Sequence, residues 1–339
     1  MTADAAVLPR AGTYSHEHVV WPSLGSGLVA RIGDWTWQAV ARETSCDVLT
    51  ARTEDGRPAY LSFHYYRIRS GRDFHLRSLQ FGDRIAVGTQ VLRSGSQSTL
   101  TLHRLFRHSA DASDGQGPGD SVGIDLGAFW GPPAPHEMRA EQLNRWISHE
   151  GTSNGDMVAS IPVGFNRDQL APAPDDAPSR QRVAMARRAG SFREPQLLTD
   201  APGCSFCYQI DAARDLNAAG LLFFASYFEI VDWALAQAWA VWGRSIASFL
   251  HRRVYDIELL YQGNADAGDV LDVVVERWRE KDSPDEVVDV RLSQAGRVIA
   301  IATQRLDAPD AHDSAFIGGN LCSDGGVSGP QLYTEEAQP

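Results

Sequence analysis

One pattern occurs twice along the chain, and it restricts the possible folds more than any composition does. In the first half, Gly27 opens an apolar, tryptophan-bearing stretch, residues 28–41, that reads as a helix broken or kinked at Gly33. β-rich runs follow at 46–52 and 58–69. A Gly82-Asp83 turn then leads into a strand through Leu92 and another at 98–106. In the second half, Gly220 opens a strongly apolar helix, 221–241. A strand at 254–261 follows, then a Gly268-Asp269 turn, a strand to Trp278, and strands at 287–292 and 298–304. Both halves read as helix, strand, Gly-Asp turn, strand, strand, at an offset of roughly 190 residues.

After each Gly-Asp pair the residues alternate, as in Ile85, Val87, Thr89, Val91 and in Leu271, Val273, Val275. Such alternation marks an antiparallel sheet with one buried face. A helix apolar nearly all round needs cover on every side, and a curved antiparallel sheet can wrap it. That unit is the hot dog, and two in one chain make a double hot dog of the α+β class. At about 150 residues per domain, 339 residues accommodate both. The expected division is an N-terminal unit at 19–165, a linker at 166–199, a C-terminal unit at 200–306 and a flexible tail at 307–339. Residues 109–123 and 167–195 read as loops by composition, the latter carrying a basic patch at 180–188. The segment 121–165, with a polar, Trp-containing stretch at 139–147, has no firm assignment.

The chain carries 31 basic and 43 acidic residues, a formal −12, and no long block of like charge. Neither nucleic acid nor an anionic membrane surface is the expected partner, because each needs a basic face. The most apolar stretch, 221–242, contains Glu229 and Asp232, so it does not read as a membrane span. The first twenty residues show no basic head before an apolar run, and four cysteines do not make a disulfide framework. These features predict a cytoplasmic protein.

Residues 215–227 read Asp-Leu-Asn-Ala-Ala-Gly-Leu-Leu-Phe-Phe-Ala-Ser-Tyr. The run resembles the D-x-D-x-x-G-(x)6-Y signature of hot-dog acyl-CoA thioesterases. The resemblance implies that Gly220 lets a helix N-terminus approach a thioester carbonyl, so that backbone N–H groups stabilise an oxyanion. Asn217 stands where those enzymes place a catalytic aspartate. An amide cannot attack a thioester or activate water, but it can donate hydrogen bonds to an enolate or carbonyl oxygen. Capping of the helix by Asn217 is the structural alternative.

The same run, with Gly-Arg-Pro-Ala-Tyr-Leu-Ser-Phe at 56–63 and Asn-Gly-Asp-Met-Val-Ala-Ser-Ile-Pro at 154–162, resembles the leinamycin-type bifunctional acyltransferase/decarboxylase (LnmK) family. The similarity runs in order over most of residues 19–306. It implies a double hot dog that decarboxylates a (methyl)malonyl-CoA and delivers the acyl group to the phosphopantetheine thiol of an acyl carrier protein. It further implies that Tyr60 is catalytic, as acyl acceptor, carboxylate-orienting group or proton source. Acyl-CoA and phosphopantetheine enter as substrates, with no resident cofactor and no metal. Asp215, Ser62, His64 and Tyr227 are the accompanying candidates for substrate binding. Near the first helix the chain departs from the family pattern: the run from Gly27 to Trp37 is shortened, and Thr36 replaces a histidine.

On alternation, Tyr60, Ser62 and His64 share one face of their strand and Ala59, Leu61 and Phe63 the other. His64 and His103 have the side-chain chemistry of an acid or base, although packed histidines are the plainer reading. Cys204 and Cys207 have metal-like spacing without a second pair, and Tyr-Ser-His-Glu-His at 14–18 reads as a mobile N-terminal segment. A double hot-dog dehydratase or thioesterase, or a non-catalytic acyl-chain binder, are the competing functions. Homodimerisation is left open.

Overall fold

The computed structural model describes residues 14–19, 26–80, 82–95, 97–108, 123–194, 197–199, 201–279 and 285–307. Its first half contains β1 (Tyr14–Val19), α1 (Ser26–Thr44), β2 (Tyr60–Ser70), β3 (Arg84–Ser94), β4 (Ser98–His108), α2 (Leu126–Phe129), β5 (Glu137–His149) and β6 (Met157–Ala159). A connecting region carries α3 (Ser179–Ala189) and β7 (Leu198–Thr199). The second half holds β8 (Cys204–Gln209), α4 (Phe224–Val241), α5 (Ile246–His251), β9 (Arg253–Tyr261), β10 (Val270–Arg279), β11 (Asp285–Gln294) and β12 (Arg297–Asp307).

The strands form one antiparallel sheet in the order β1-β3-β4-β5-β2-β9-β12-β11-β10-β7, with β6 beside β5 and β8 beside β10. Each half therefore repeats one strand order, β3-β4-β5-β2 and β10-β11-β12-β9. The halves join where β2 pairs with β9, from Tyr65↔Leu260 to Arg69↔Asp256. The sheet wraps α1 and α4, whose buried faces share one apolar core with Phe63, Tyr66, Val87 and Val273. This is a double hot dog.

The expected break in α1 at Gly33 is absent; the helix runs unbroken from Ser26 to Thr44. Gly33 has a different purpose. A Cβ there would overlap the Phe224 ring, so glycine lets α4 approach α1. Three further expectations change. Residues 46–52 form turns with a single bridge, Arg52↔Pro58, rather than a strand. Residues 14–19 are a strand on β3 rather than a mobile segment. The region read as a loop at 167–195 contains α3, which closes on Gly190 in the left-handed conformation. Val183 and Ala186 of α3 pack on the outer sheet face against Tyr65, Leu143, Leu260 and Ile301. Leu92 of β3 joins the same outer cluster, and β3 is buried on both faces rather than one.

The unassigned stretch at 139–147 lies in β5, the first-half counterpart of β12. Loop residues 109–122 and tail residues 308–339 lie outside the described residues. Among the described residues no helix is long and apolar enough to cross a membrane. No group of three His, Cys, Asp or Glu among them could hold a metal ion; Cys204 is buried and Cys207 exposed on β8.

Candidate active site

Strand β2 pairs with β5 over its whole length but with β9 only from Tyr65 onward. His64 is the extra residue of a bulge: Phe63 pairs with Asn144 and Tyr65 already with Leu143. The bulge resets the alternation, so Phe63 and Tyr66 both enter the inner core while Tyr65 faces out under α3. The sharing of one face by Tyr60, Ser62 and His64 thus ends at the bulge. Before it, β2 stands away from β9, and the loops preceding α4 and following β9 border the gap.

An open cleft of about 340 Å³ occupies this place. Tyr60, Ser62 and Phe63 line one wall, Asn217 to Ala219 and Leu221 to Phe224 the other, with Trp37 from α1 and Asn264 from the loop after β9. Tyr60 is half-buried, its ring edge-on to His149 at 6.2 Å, and its hydroxyl has no hydrogen-bonding partner among the described residues. The inner end of the cleft is aromatic. The Phe224 ring lies 4.2 Å from that of Phe63, 4.5 Å from Phe223 and 5.5 Å from Trp37. None of the lining residues is charged and none is a histidine.

The turn carrying Asn217 is built from its own backbone. Asn217 N–H donates to the Leu221 carbonyl at 2.9 Å, and Gly220 N–H to the Asn217 carbonyl at 2.9 Å. The Asn217 side-chain oxygen accepts the N–H groups of Ala219 (3.0 Å) and Leu221 (3.1 Å). With the oxygen so occupied, the NH2 is the end left to meet a ligand in the cleft. Asn217 therefore caps a tight turn, not a helix. Gly220 is part of that turn at φ +75, and α4 begins four residues later at Phe224. The expectation that Gly220 opens the helix is overturned: the helix end that borders the cleft is Phe224, with Phe223 before it.

The family described as the LnmK N-terminal Hot Dog Fold domain matches residues 19–195, more than half of the chain. The chain belongs to the LnmK family. Two solved structures share its fold. An acyl-ACP thioesterase from Bacteroides thetaiotaomicron is 11% identical, with a TM-score of 0.51 over 87% of this chain and 98% of its own. A protein described as an oleoyl thioesterase from Lactobacillus plantarum is 11% identical, with a TM-score of 0.52 over 88% and 98%. At that identity the likeness concerns the fold. No curated protein matches the chain.

Of the remaining candidates, Ser62 borders the cleft and donates to the Phe63 carbonyl at 3.3 Å. His64 lies in an adjoining chamber, where Arg187 approaches its Nε2 at 2.9 Å. Burial, then Arg187 and Arg145, push the His64 ring down to about 4, against an opposing hydrogen bond with the Tyr261 backbone. It is neutral at pH 7, so Nε2 accepts from Arg187.

Two candidates lie away from the cleft, which corrects their substrate-binding assignment. Asp215 is fully buried and accepts from Tyr208 Oη (3.0 Å), Asp211 N–H (2.8 Å) and Arg214 Nε (2.9 Å). Burial alone would raise its pKa, but Arg214 and these other donors outweigh that and hold the carboxyl below its ordinary range. Its backbone carbonyl takes Phe223 N–H and the Ser226 hydroxyl, so Asp215 anchors the start of α4. Tyr227 is buried and donates to the Gly263 carbonyl at 2.8 Å, holding the loop after β9; burial pushes its phenol up.

Sequence reasoning missed two clamps. Asn154 Nδ2 donates to the Gly220 carbonyl at 2.7 Å and the Ala265 carbonyl at 3.1 Å, binding a first-half loop to the Asn217 turn. Asn264 accepts Leu222 N–H at 2.9 Å and donates back to the Leu222 carbonyl at 3.3 Å. Asn154 opens one of the stretches on which the family resemblance rests, and that was the available signal. His103 is fully buried, with Thr89 at Nδ1 and Thr36 at Nε2, each at 2.8 Å. It is packed away from the cleft.

Proposed function

We propose that this chain decarboxylates a (methyl)malonyl thioester and passes the resulting acyl group to the phosphopantetheine thiol of an acyl carrier protein. The observation that carries this reading is an uncharged cleft in which Tyr60 from the first half faces Asn217 from the second. The cleft has no carboxylate or histidine along its own walls, and His64 in the adjoining chamber is engaged with Arg187. No carboxylate base for hydrolysis and no acid–histidine pair for dehydration therefore stands at the reacting centre. A donor amide can hold the enolate left by loss of CO2, and a phenol can protonate its α-carbon afterwards.

The thioester carbonyl oxygen accepts from Asn217 Nδ2. As the bond between the α-carbon and the carboxylate breaks, its electron pair forms the enolate and CO2 departs. The charge then rests on the oxygen held by the amide, where a preorganised donor is most effective. Tyr60 gives its proton to the α-carbon and recovers one from water. The carrier thiol loses its proton to solvent and its thiolate attacks the carbonyl carbon. The bond between that carbon and the CoA sulfur then breaks, and the departing CoA thiolate takes a proton from solvent. Apolar walls favour the first step, because they solvate the carboxylate less well than water does. The rings of Phe224, Phe63 and Trp37 close the inner end, which supports a short acyl group over a fatty chain.

Incubating the protein with methylmalonyl-CoA and a carrier protein, followed by intact-mass measurement, tests the reading. A carrier gaining a propionyl mass is expected. A methylmalonyl mass removes decarboxylation. Free CoA with an unmodified carrier replaces the proposal by thioester hydrolysis.

A further inference from the structure

Beside the cleft, on the outer side of β2, lies a second chamber of about 280 Å³. It shares Ser62, Phe63, Ile147 and Asn264 with the cleft, so the two spaces are continuous. Two arginines line it. Arg145 stands on β5 opposite Ser62, and Arg187 reaches in from α3 to the bulge residue His64.

Several buried or half-buried arginines are committed to carboxylates, whereas Arg145 and Arg187 are exposed. Arg67 pairs with Asp256, Arg104 with Glu137, Arg182 and Arg244 with Glu258 and Glu286. Arg145 and Arg187 have no carboxylate partner among the described residues, and no residue lining the chamber is acidic. In a chain with twelve excess negative charges, this is a local concentration of unneutralised positive charge. Guanidinium forks match the oxygens of a phosphate, and neutral His64 accepts from Arg187 and so holds that fork in place. The basic patch at 180–188 thereby resolves: Arg182 is committed to Glu258, Arg180 donates to Ser94 Oγ, and Arg187 alone enters the chamber.

We infer that the chamber is a phosphate subsite for the far end of a pantetheine arm, with Arg145 and Arg187 as its two forks. The inference rests on the thioester reading of the cleft. Its direction follows from the layout: the acyl end is closed by aromatic rings inside, while the arginines sit on the outer face, toward which the arm must run. Coenzyme A and carrier-bound phosphopantetheine both present this phosphate chemistry.

Calorimetric titration with CoA, 4′-phosphopantetheine and pantetheine separates the sources. The native chain is expected to prefer the two phosphorylated compounds about tenfold or more over pantetheine. Arg145→Gln/Arg187→Gln should abolish that preference while leaving pantetheine affinity unchanged, which also reports that the variant is folded. Arg188→Gln, which removes equal charge outside the chamber, should change nothing. A preference for CoA without one for 4′-phosphopantetheine would assign the forks to the distal part of the coenzyme and overturn the arm assignment. Equal native affinity for all three compounds also overturns it, as does loss of pantetheine binding in the double variant. If the double variant instead loses malonyl-pantetheine relative to propionyl-pantetheine, the arginines read the acyl carboxylate and the phosphate assignment falls. A phosphate preference without turnover of any malonyl thioester upholds the subsite and removes the reaction; turnover without a phosphate preference does the reverse.

Discussion

Asn217 and Tyr60 divide the proposed chemistry between a donor that stays put and a proton that moves. Asn217→Asp keeps an acceptor oxygen for the Ala219 and Leu221 N–H groups, so the turn should survive. It replaces the NH2 donor with a second carboxylate oxygen that repels an enolate. The expected outcome is a 10²–10³-fold loss of decarboxylation, roughly the effect of removing one oxyanion donor. The same carboxylate should introduce thioester hydrolysis, read as free CoA. Tyr60→Phe should lower turnover by about 10²–10⁴ while acyl-CoA affinity is unchanged, the range for losing a positioned proton donor. Mass analysis of the quenched native enzyme checks the competing part for Tyr60, since an acyl ester on that residue would make it the acceptor. Both residues were candidates on the chain alone. Their meeting in one cleft was not, because it depends on how β2 is set against the second half.

Between elements, the contact that shapes the cleft is α1 against α4. Gly33 leaves room for the Phe224 ring, and that ring, with Phe63 and Trp37, closes the acyl end. Gly33→Ala should therefore cost about 1–3 kcal/mol, as overpacking does, in spite of alanine's better helix propensity. Phe224→Leu alone should destabilise and extend the accepted acyl chain by several carbons, measured by turnover across a series of acyl-CoA lengths. The two changes together should cost less than their sum, because each relieves the other's misfit, and a double-mutant cycle of unfolding free energies measures this. A glycine within a helical pattern reads from sequence as a weak point. Here it marks a close approach, and only the partner ring distinguishes the two.

At the scale of the whole molecule, three histidines couple stability to acid. Burial pushes His103 down to about 3, with the Gln142 hydrogen bond opposing. Burial and then neighbouring arginines push His64 and His75 down to about 4. In the unfolded chain all three titrate near 6.5. Between that value and their folded values the unfolded state binds protons that the folded state refuses, so their contribution is present above pH 6.5 and lost as pH falls toward 3–4. For fully buried His103 the slope approaches about 1.4 kcal/mol per pH unit. Denaturant unfolding at pH 7, 6, 5 and 4.5 should show this decline, and His103→Gln should flatten it while lowering stability at pH 7.

The repeat was legible because burial writes itself locally: period-two strands and an all-apolar helix need no knowledge of their neighbours. So the double hot dog, the family and the two Gly-Asp turns were accessible from the chain. Strand β5 was not, since polar residues are buried among its apolar ones: Glu137 is paired with Arg104 and Arg139, and Gln142 Oε1 joins the histidine network. Helix α3 was hidden because Val183 and Ala186 are its buried apolar contacts within a run dense in arginine. Gly220 misled because a tight turn and a helix start both favour glycine, and only the hydrogen bonds of the Asn217 turn tell them apart. Sequence by itself determined which residues are apolar in which rhythm, and hence the repeated helices and strands that carry that rhythm. Tertiary structure alone decided that β2 leaves β9 at His64, that Asn154 clamps the opposite turn, and that Arg145 and Arg187 share a chamber. Those are contacts between distant segments, whose energy depends on geometry that no local pattern records.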